Sequence, residues 1–159
     1  MSLIHKQNLV RRFMEAFGQR PPSELRLPDP ATIKLRAALV LEEANELGTS
    51  EDLTEYLDAV CDLLYVVYGA ALAAGFNAVQ IDAAFLEVHR SNMSKFWSTD
   101  EKRLAEESGK DLVFEPHFHL WVARNREGKV IKSPSFEPPQ LSQDRKSTRL
   151  NSSHEWISR

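Results

Sequence analysis

The sequence predicts an all-α fold, a bundle of four main helices followed by a small C-terminal β-hairpin and an extended appendage. Three observations carry this. Apolar residues recur at helical spacing as far as Lys95. Gly18, Gly48 and Gly75 punctuate that stretch about one helix apart. Beyond Lys95 the pattern turns polar and then alternates with a period of two.

The first helix is expected over residues 3–17. Leu3, Val10, Phe13, Met14 and Phe17 lie near helical spacing, which makes Phe13 and Phe17 core residues, and Gly18 closes it. QRPPSELRLPDP is a Pro-rich connector. A second helix is expected over residues 31–47, started by Asp29 or Pro30 and ended by Gly48. Thr49 or Ser50 is the expected cap of a third helix, which runs to Ala74 and stops at Gly75. Asn77 caps a fourth over residues 78–95, with Ile81, Phe85 and Val88 on one face. STDEKRLAEESGKD can hold a short exposed helix, HFHLWVAR and KVIK around the turn NREG read as a hairpin, and SPSFEPPQL is extended.

The length of 159 residues suits a helical core at 1–98 with an appendage at 99–143. Residues 144–159, DRKSTRLNSSHEWISR, resemble a translated sequencing adapter and are set apart as a non-native, disordered tail. Without Arg145, Lys146, Arg149 and Arg159 against Asp144 and Glu155, the net charge moves from −3 to −5. An acidic chain is not expected to bind nucleic acid stably. A lone Cys61, expected in the core, excludes a disulfide framework and a cysteine zinc cluster. The N-terminal MSLIHKQNLVRRF has no apolar leader. The continuously apolar run is only Leu63–Phe76, a length that fits a buried helix better than a membrane span. A cytoplasmic protein without membrane contact is therefore expected. LLYVVYGAALAAG is apolar on nearly every side and needs cover, which favours a homodimer or homotetramer.

Charge is segregated. From Ala37 to His89 there is no Lys or Arg, yet ten acids occur. Glu42, Glu43 and Glu46 share one face of the second helix by i, i+3 and i, i+4 spacing. Glu55, Asp58 and Asp62 share one face of the third, and Asp62, at the start of the apolar run, is expected to be part-buried. Like charges at such spacings cost about 0.2–0.5 kcal/mol per pair even on an exposed helix. Such stripes are either a solvated acidic face or, facing each other without a basic partner, a cation site, for which hard oxygen donors select Mg²⁺, Mn²⁺ or Ca²⁺.

The strings EEANE, DAVCDLLYVVYG and EVHRSNMSK resemble the MazG-like all-α nucleoside triphosphate pyrophosphohydrolases, a superfamily that includes dimeric dUTPases and phosphoribosyl-ATP pyrophosphatases. FMEAFGQRPP and GKVIKSPSFEPP resemble its phosphoribosyl-ATP-pyrophosphohydrolase-like branch. The resemblance covers residues 8–98 and 127–141. It implies an ExxE pair and an ExxD pair binding Mg²⁺, with Mn²⁺ as a substitute. Glu43 and Glu46 match the first pair and Asp62 ends the second. Ala59 stands where the family has Glu, and Asp58, one position earlier, is the stand-in ligand. The implied reaction is hydrolysis of a nucleoside triphosphate to the monophosphate and pyrophosphate. Glu42 is the candidate catalytic base, and Arg90, Asn92 and Lys95 are candidates for binding substrate phosphates. The alternative expectation is a non-catalytic helical binding or assembly module with incomplete metal ligation. His117 and His119, expected to point the same way on a strand, could hold a transition metal with Glu115, but no further ligand or Cys accompanies them. Lys132 could reach phosphates if the C-terminal segment folds over the site.

Overall fold

A computed structural model describes residues 6–107 and 112–141. The expected adapter-like tail at 144–159 and the first residues of the expected first helix lie outside the described residues. The elements are helices α1 (Lys6–Ala16), α2 (Pro30–Thr49), α3 (Leu53–Ala73), α4 (Ala78–Met93) and α5 (Thr99–Glu107), then strands β1 (Leu112–Glu115), β2 (Leu120–Arg124) and β3 (Val130–Ile131). The chain forms two compact units, the first up to Ala83 and the second from Ala84 onward.

In the first unit α2 packs along α3, and α1 packs against α3. Asp29 starts α2: its carboxylate accepts from the Ala31 and Thr32 amides and the Thr32 hydroxyl, while Pro30 opens the first turn. The α3 cap is Asp52, not Thr49 or Ser50. Asp52 Oδ1 accepts from the Thr54 and Glu55 amides. The Ser50 hydroxyl instead turns back to the Glu46 carbonyl, so it closes α2. Asn77 and Gln80 exchange side-chain-to-backbone bonds at the start of α4, a reciprocal capping box.

The first unit's core is small: Val10 and Met14 of α1 against Leu72 of α3, flanked by Tyr68. Gly75 ends α3 at φ +86, and a Cβ there would lie 2.6 Å from the Glu24 carbonyl oxygen. The absence of a side chain lets the connector lie across the helix end, where the Arg26 amide donates to the Ala74 carbonyl. Phe13 and Phe17 are not core residues: they are 49% and 70% exposed, and Phe13 meets Tyr65 edge-on. Cys61 is exposed as well, because it follows Leu57 by one turn on the face of α3 turned away from buried Ala59. That face also carries exposed Leu53 and Leu64. By length and composition alone α3 could cross a membrane, but it bears Glu55, Asp58 and Asp62, and carboxylates at hydrocarbon depth are costly.

The second unit is a three-stranded antiparallel sheet in the order β1-β2-β3, with α5 packed on it. The hairpin falls where the alternation places it, pairing Ala123 with Ile131 and Arg124 with Val130. Strand β1 is additional to the expectation and pairs Leu112–Glu115 with Leu120–Ala123. His117 and His119 lie in the β1–β2 turn rather than on a strand, since Pro116 has no amide to continue a ladder and His119 adopts φ 52. Trp97, Ala105 and Ala123 form the core. Trp97 bridges to Trp121 through both backbone bonds and donates its indole N–H to the Ile131 carbonyl.

The extended C-terminal segment is fastened residue by residue. Ser133 donates to the Ser94 carbonyl, the Glu137 amide donates to the Ser94 hydroxyl, and the Gln140 amide donates to Glu87. Glu101 caps α5 reciprocally with Ser98 and also accepts from the Ser135 amide. Burial alone would raise its pKa, but these bonds outweigh burial and hold it below the usual glutamate range. The stability it lends is therefore in place above that range and is lost as pH falls through the lowered value. Glu101→Ala should cost about 1 kcal/mol. In hydrogen-exchange mass spectrometry, the amides of Ser135, Phe136 and Glu137 should exchange faster at neutral pH, with no change in α2.

A carboxylate cluster between two helices

The half-buried face of α2 reads Thr32, Arg36, Leu39, Glu43 and Leu47, at steps of about one turn. The facing stripe of α3 contains buried Ala59 and half-buried Leu63 and Val66. The turn between the helices is only residues 50–52, so the last turns of α2 lie against the first turns of α3. Hence Glu43 and Glu46, near the end of α2, meet Asp58 and Asp62, near the start of α3.

The electrostatics record that meeting. The Glu43 carboxyl is pushed above the usual carboxylate range by burial first, then by Glu46, Asp62, Glu42 and Asp58 in that order. All five acids proposed from sequence are therefore one neighbourhood, centred on Glu43. The other four are exposed, and this includes Asp62, which was expected to be part-buried. It lies beside the buried stripe rather than within it. Among the described residues none of the five pairs with a basic side chain. Nor does any group of three His, Cys, Asp or Glu side chains there converge as a metal site would require. By donor chemistry, carboxylate oxygens in excess suit a hard divalent ion. Ala59 is 5% exposed, so the position that carries a Glu in the sequence pattern is sealed by a methyl group here.

The basic candidates lie in the second unit. Arg90 is bound by two carboxylates: Nε and Nη2 donate to Glu87, and Nη1 donates to Glu137. Hydrogen bonding to these acids holds its pKa above the ordinary value. Arg90 thus fastens the C-terminal segment to α4. Lys95 Nζ donates to Asn92 Oδ1 at 2.6 Å. Both line a cavity of about 220 Å³ with Phe96, Val122, Arg124 and Val130. Arg124 enters this cavity from β2 and was not anticipated, since nothing in the local sequence ties that strand to the end of α4. Lys132 lies over the Phe136 ring, 4.0 Å from its centroid.

A family model described as phosphoribosyl-ATP pyrophosphohydrolase matches residues 10–92, just over half of the chain. An uncharacterized protein of Acanthamoeba polyphaga mimivirus, L479, is 46% identical over 52 residues. That alignment covers 31% of this chain and 21% of the viral protein.

Because ionised Glu43 is disfavoured in the folded state, Glu43→Gln should raise the melting temperature at pH 7 in EDTA. The raised carboxyl stabilises the fold only while it is protonated, and that contribution is lost as pH rises through its folded-state value. The gain should shrink toward zero in melts run at progressively lower pH.

Proposed function

From the premise that this chain belongs to the phosphoribosyl-ATP pyrophosphohydrolase family, pyrophosphohydrolases acting on a nucleotide phosphoanhydride, we propose that it hydrolyses a nucleoside triphosphate to the monophosphate and pyrophosphate with Mg²⁺ bound. The observation that carries the reading is the five-carboxylate neighbourhood around Glu43, in a stretch without Lys or Arg. Glu43, Glu46, Asp58 and Asp62 would hold the ion, and Mn²⁺ suits the same donors. When bound, it supplies charge neutralisation and polarisation of phosphoryl oxygens.

The chain's own side chains do the rest. Glu42, exposed beside the cluster, takes the proton of the attacking water within hydrogen-bond reach. The water oxygen forms the new bond to the α-phosphorus as the bond to the leaving pyrophosphate breaks. Asn92 and Lys95, with Arg124, supply donors suited to phosphate in the second unit. Arg90, already committed to Glu87 and Glu137, holds α4 to the extended segment. The cytoplasm, with its nucleotide pool, is the compartment this chemistry implies. A second reading, a helical binding module without hydrolysis, draws support from Ala59, which leaves the third helix one donor short.

A panel of ribo-, deoxyribo- and modified triphosphates, assayed for pyrophosphate release, separates the two. Release from at least one, dependent on Mg²⁺, is expected. Glu46→Gln should lower the rate by roughly 10²- to 10³-fold, the loss typical of a deleted electrostatic group. No release from any triphosphate would favour the binding module.

We further propose that a second copy covers the exposed face of α3. Leu53, Tyr56 and Leu57 are 82%, 51% and 61% exposed, more apolar surface than a soluble helix ordinarily leaves in water. Light scattering after size exclusion should give a dimer or tetramer for the native chain and a smaller species for Leu57→Glu. A native monomer would contradict this.

A further inference from the structure

The first unit contains a second polar feature of opposite charge. A cleft of about 620 Å³ opens between the end of α1, the Pro-rich connector and the start of α2. Arg20 and Arg26 of the connector and Arg36 of α2 line it. Among the described residues the one acid in its wall is Asp29, whose carboxylate oxygens are taken by the Ala31 and Thr32 amides and the Thr32 hydroxyl. Among the described residues, none of the three guanidinium groups forms an ion pair.

Arg36 is built in rather than waving in solvent. Its Nη2 donates to Gln19 Oε1 at 3.0 Å, and its buried Nε finds no acceptor. Burial lowers its pKa. On α3, Gly69 makes room for it: a Cβ there would stand 3.0 Å from Arg36 Nη1. A half-buried cation with an orphaned N–H and no counter-charge is costly, and an anion that completes it removes that cost. The guanidinium fork matches phosphate in two-point geometry. Pro21, Pro22 and Pro28 stiffen the wall, so little ordering is needed on binding. The volume lies within the roughly 300–1,000 Å³ range of small-molecule sites. Met14, Leu27 and Leu35 give an apolar lining for the body of a ligand. Arg36 precedes Glu43 by seven residues on the same face, about 10 Å along the helix axis. None of the five cluster acids lines the cleft.

We propose that this arginine cleft binds a phosphate-bearing small molecule of nucleotide size, with Arg36 at its floor and Arg20 and Arg26 at its rim. The site needs no metal, so it can be tested with the hydrolytic reading switched off. In EDTA the carboxylate cluster repels phosphate, and variants of the three cleft arginines separate binding in the cleft from binding at Lys95 and Arg124 of the second unit.

Calorimetric titration of the full chain with adenosine 5′-monophosphate in EDTA should give saturable binding that weakens as NaCl is added. Adenosine, which lacks the phosphate, should bind at least tenfold more weakly. Arg20→Gln and Arg26→Gln, both at exposed positions where folding is safe, should each weaken binding roughly tenfold, the usual effect of a lost charged hydrogen bond. Arg36→Gln should abolish it, and Lys34→Gln, on α2 but outside the cleft, should leave it unchanged. Absence of saturable binding, indifference to the arginine variants, or equally tight binding of citrate at the same arginines would each overturn the assignment.

Discussion

Glu43 lies on the half-buried face of α2 with Glu46 one turn away and Asp62 opposite on α3, and its carboxyl resists ionisation. Much else in the first unit is arranged around that repulsion. The two-helix pairing that buries Ala59 and half-buries Leu63 and Leu47 is the same pairing that forces the acids together. A fold that only needed α2 against α3 would gain from a Lys or Arg beside the acids. The cation on that face, Arg36, lies seven residues before Glu43, and none occurs between Ala37 and His89. The apolar packing therefore holds in place an electrostatic cost that a bound divalent cation would offset. The short turn at residues 50–52, closed by Ser50 on one side and capped by Asp52 on the other, sets which acids meet.

The second unit is governed by hydrogen bonds more than by apolar area. Among the described residues its buried hydrophobic core is one large ring and two alanines, Trp97, Ala105 and Ala123. Arg90, Ser94 and Glu101 each hold the extended C-terminal segment, and Trp97 joins the end of α4 to the sheet. Glu87, Glu101 and Glu137 there are matched to donors, whereas the carboxylates of the α2–α3 pair are left facing one another. That contrast is the reason the acids of α2 and α3 are read as functional while Glu87, Glu101 and Glu137 are read as structural.

Much of this was legible locally. Asp29, Asn77 and Gly75 mark helix ends because each acts through its own backbone neighbourhood. The acid stripes were legible because i, i+3 and i, i+4 spacing fixes a helix face without reference to tertiary packing. The start of α3 was not, since Ser50 and Asp52 are both good caps and only the direction of the Ser50 hydroxyl decides between them. Hydrophobicity alone assigns Phe13, Phe17 and Cys61 to the core, but the described residues leave the faces they occupy exposed. His117 and His119 were put on a strand because alternation cannot see that Pro116 begins a turn. The arginine cleft was invisible for a different reason. Arg20, Arg26 and Arg36 belong to two elements with no shared period, and only the fold of the connector gathers them.

The proposed hydrolysis depends on the α2–α3 carboxylates holding a cation. Calorimetric titration of the metal-free chain with Mg²⁺, in the presence of a nonhydrolysable triphosphate, tests this most directly. The native chain should take up Mg²⁺ saturably, and Glu43→Gln and Asp62→Asn should each lose most of that uptake. No saturable uptake by the native chain, or equal uptake by both variants, would contradict it.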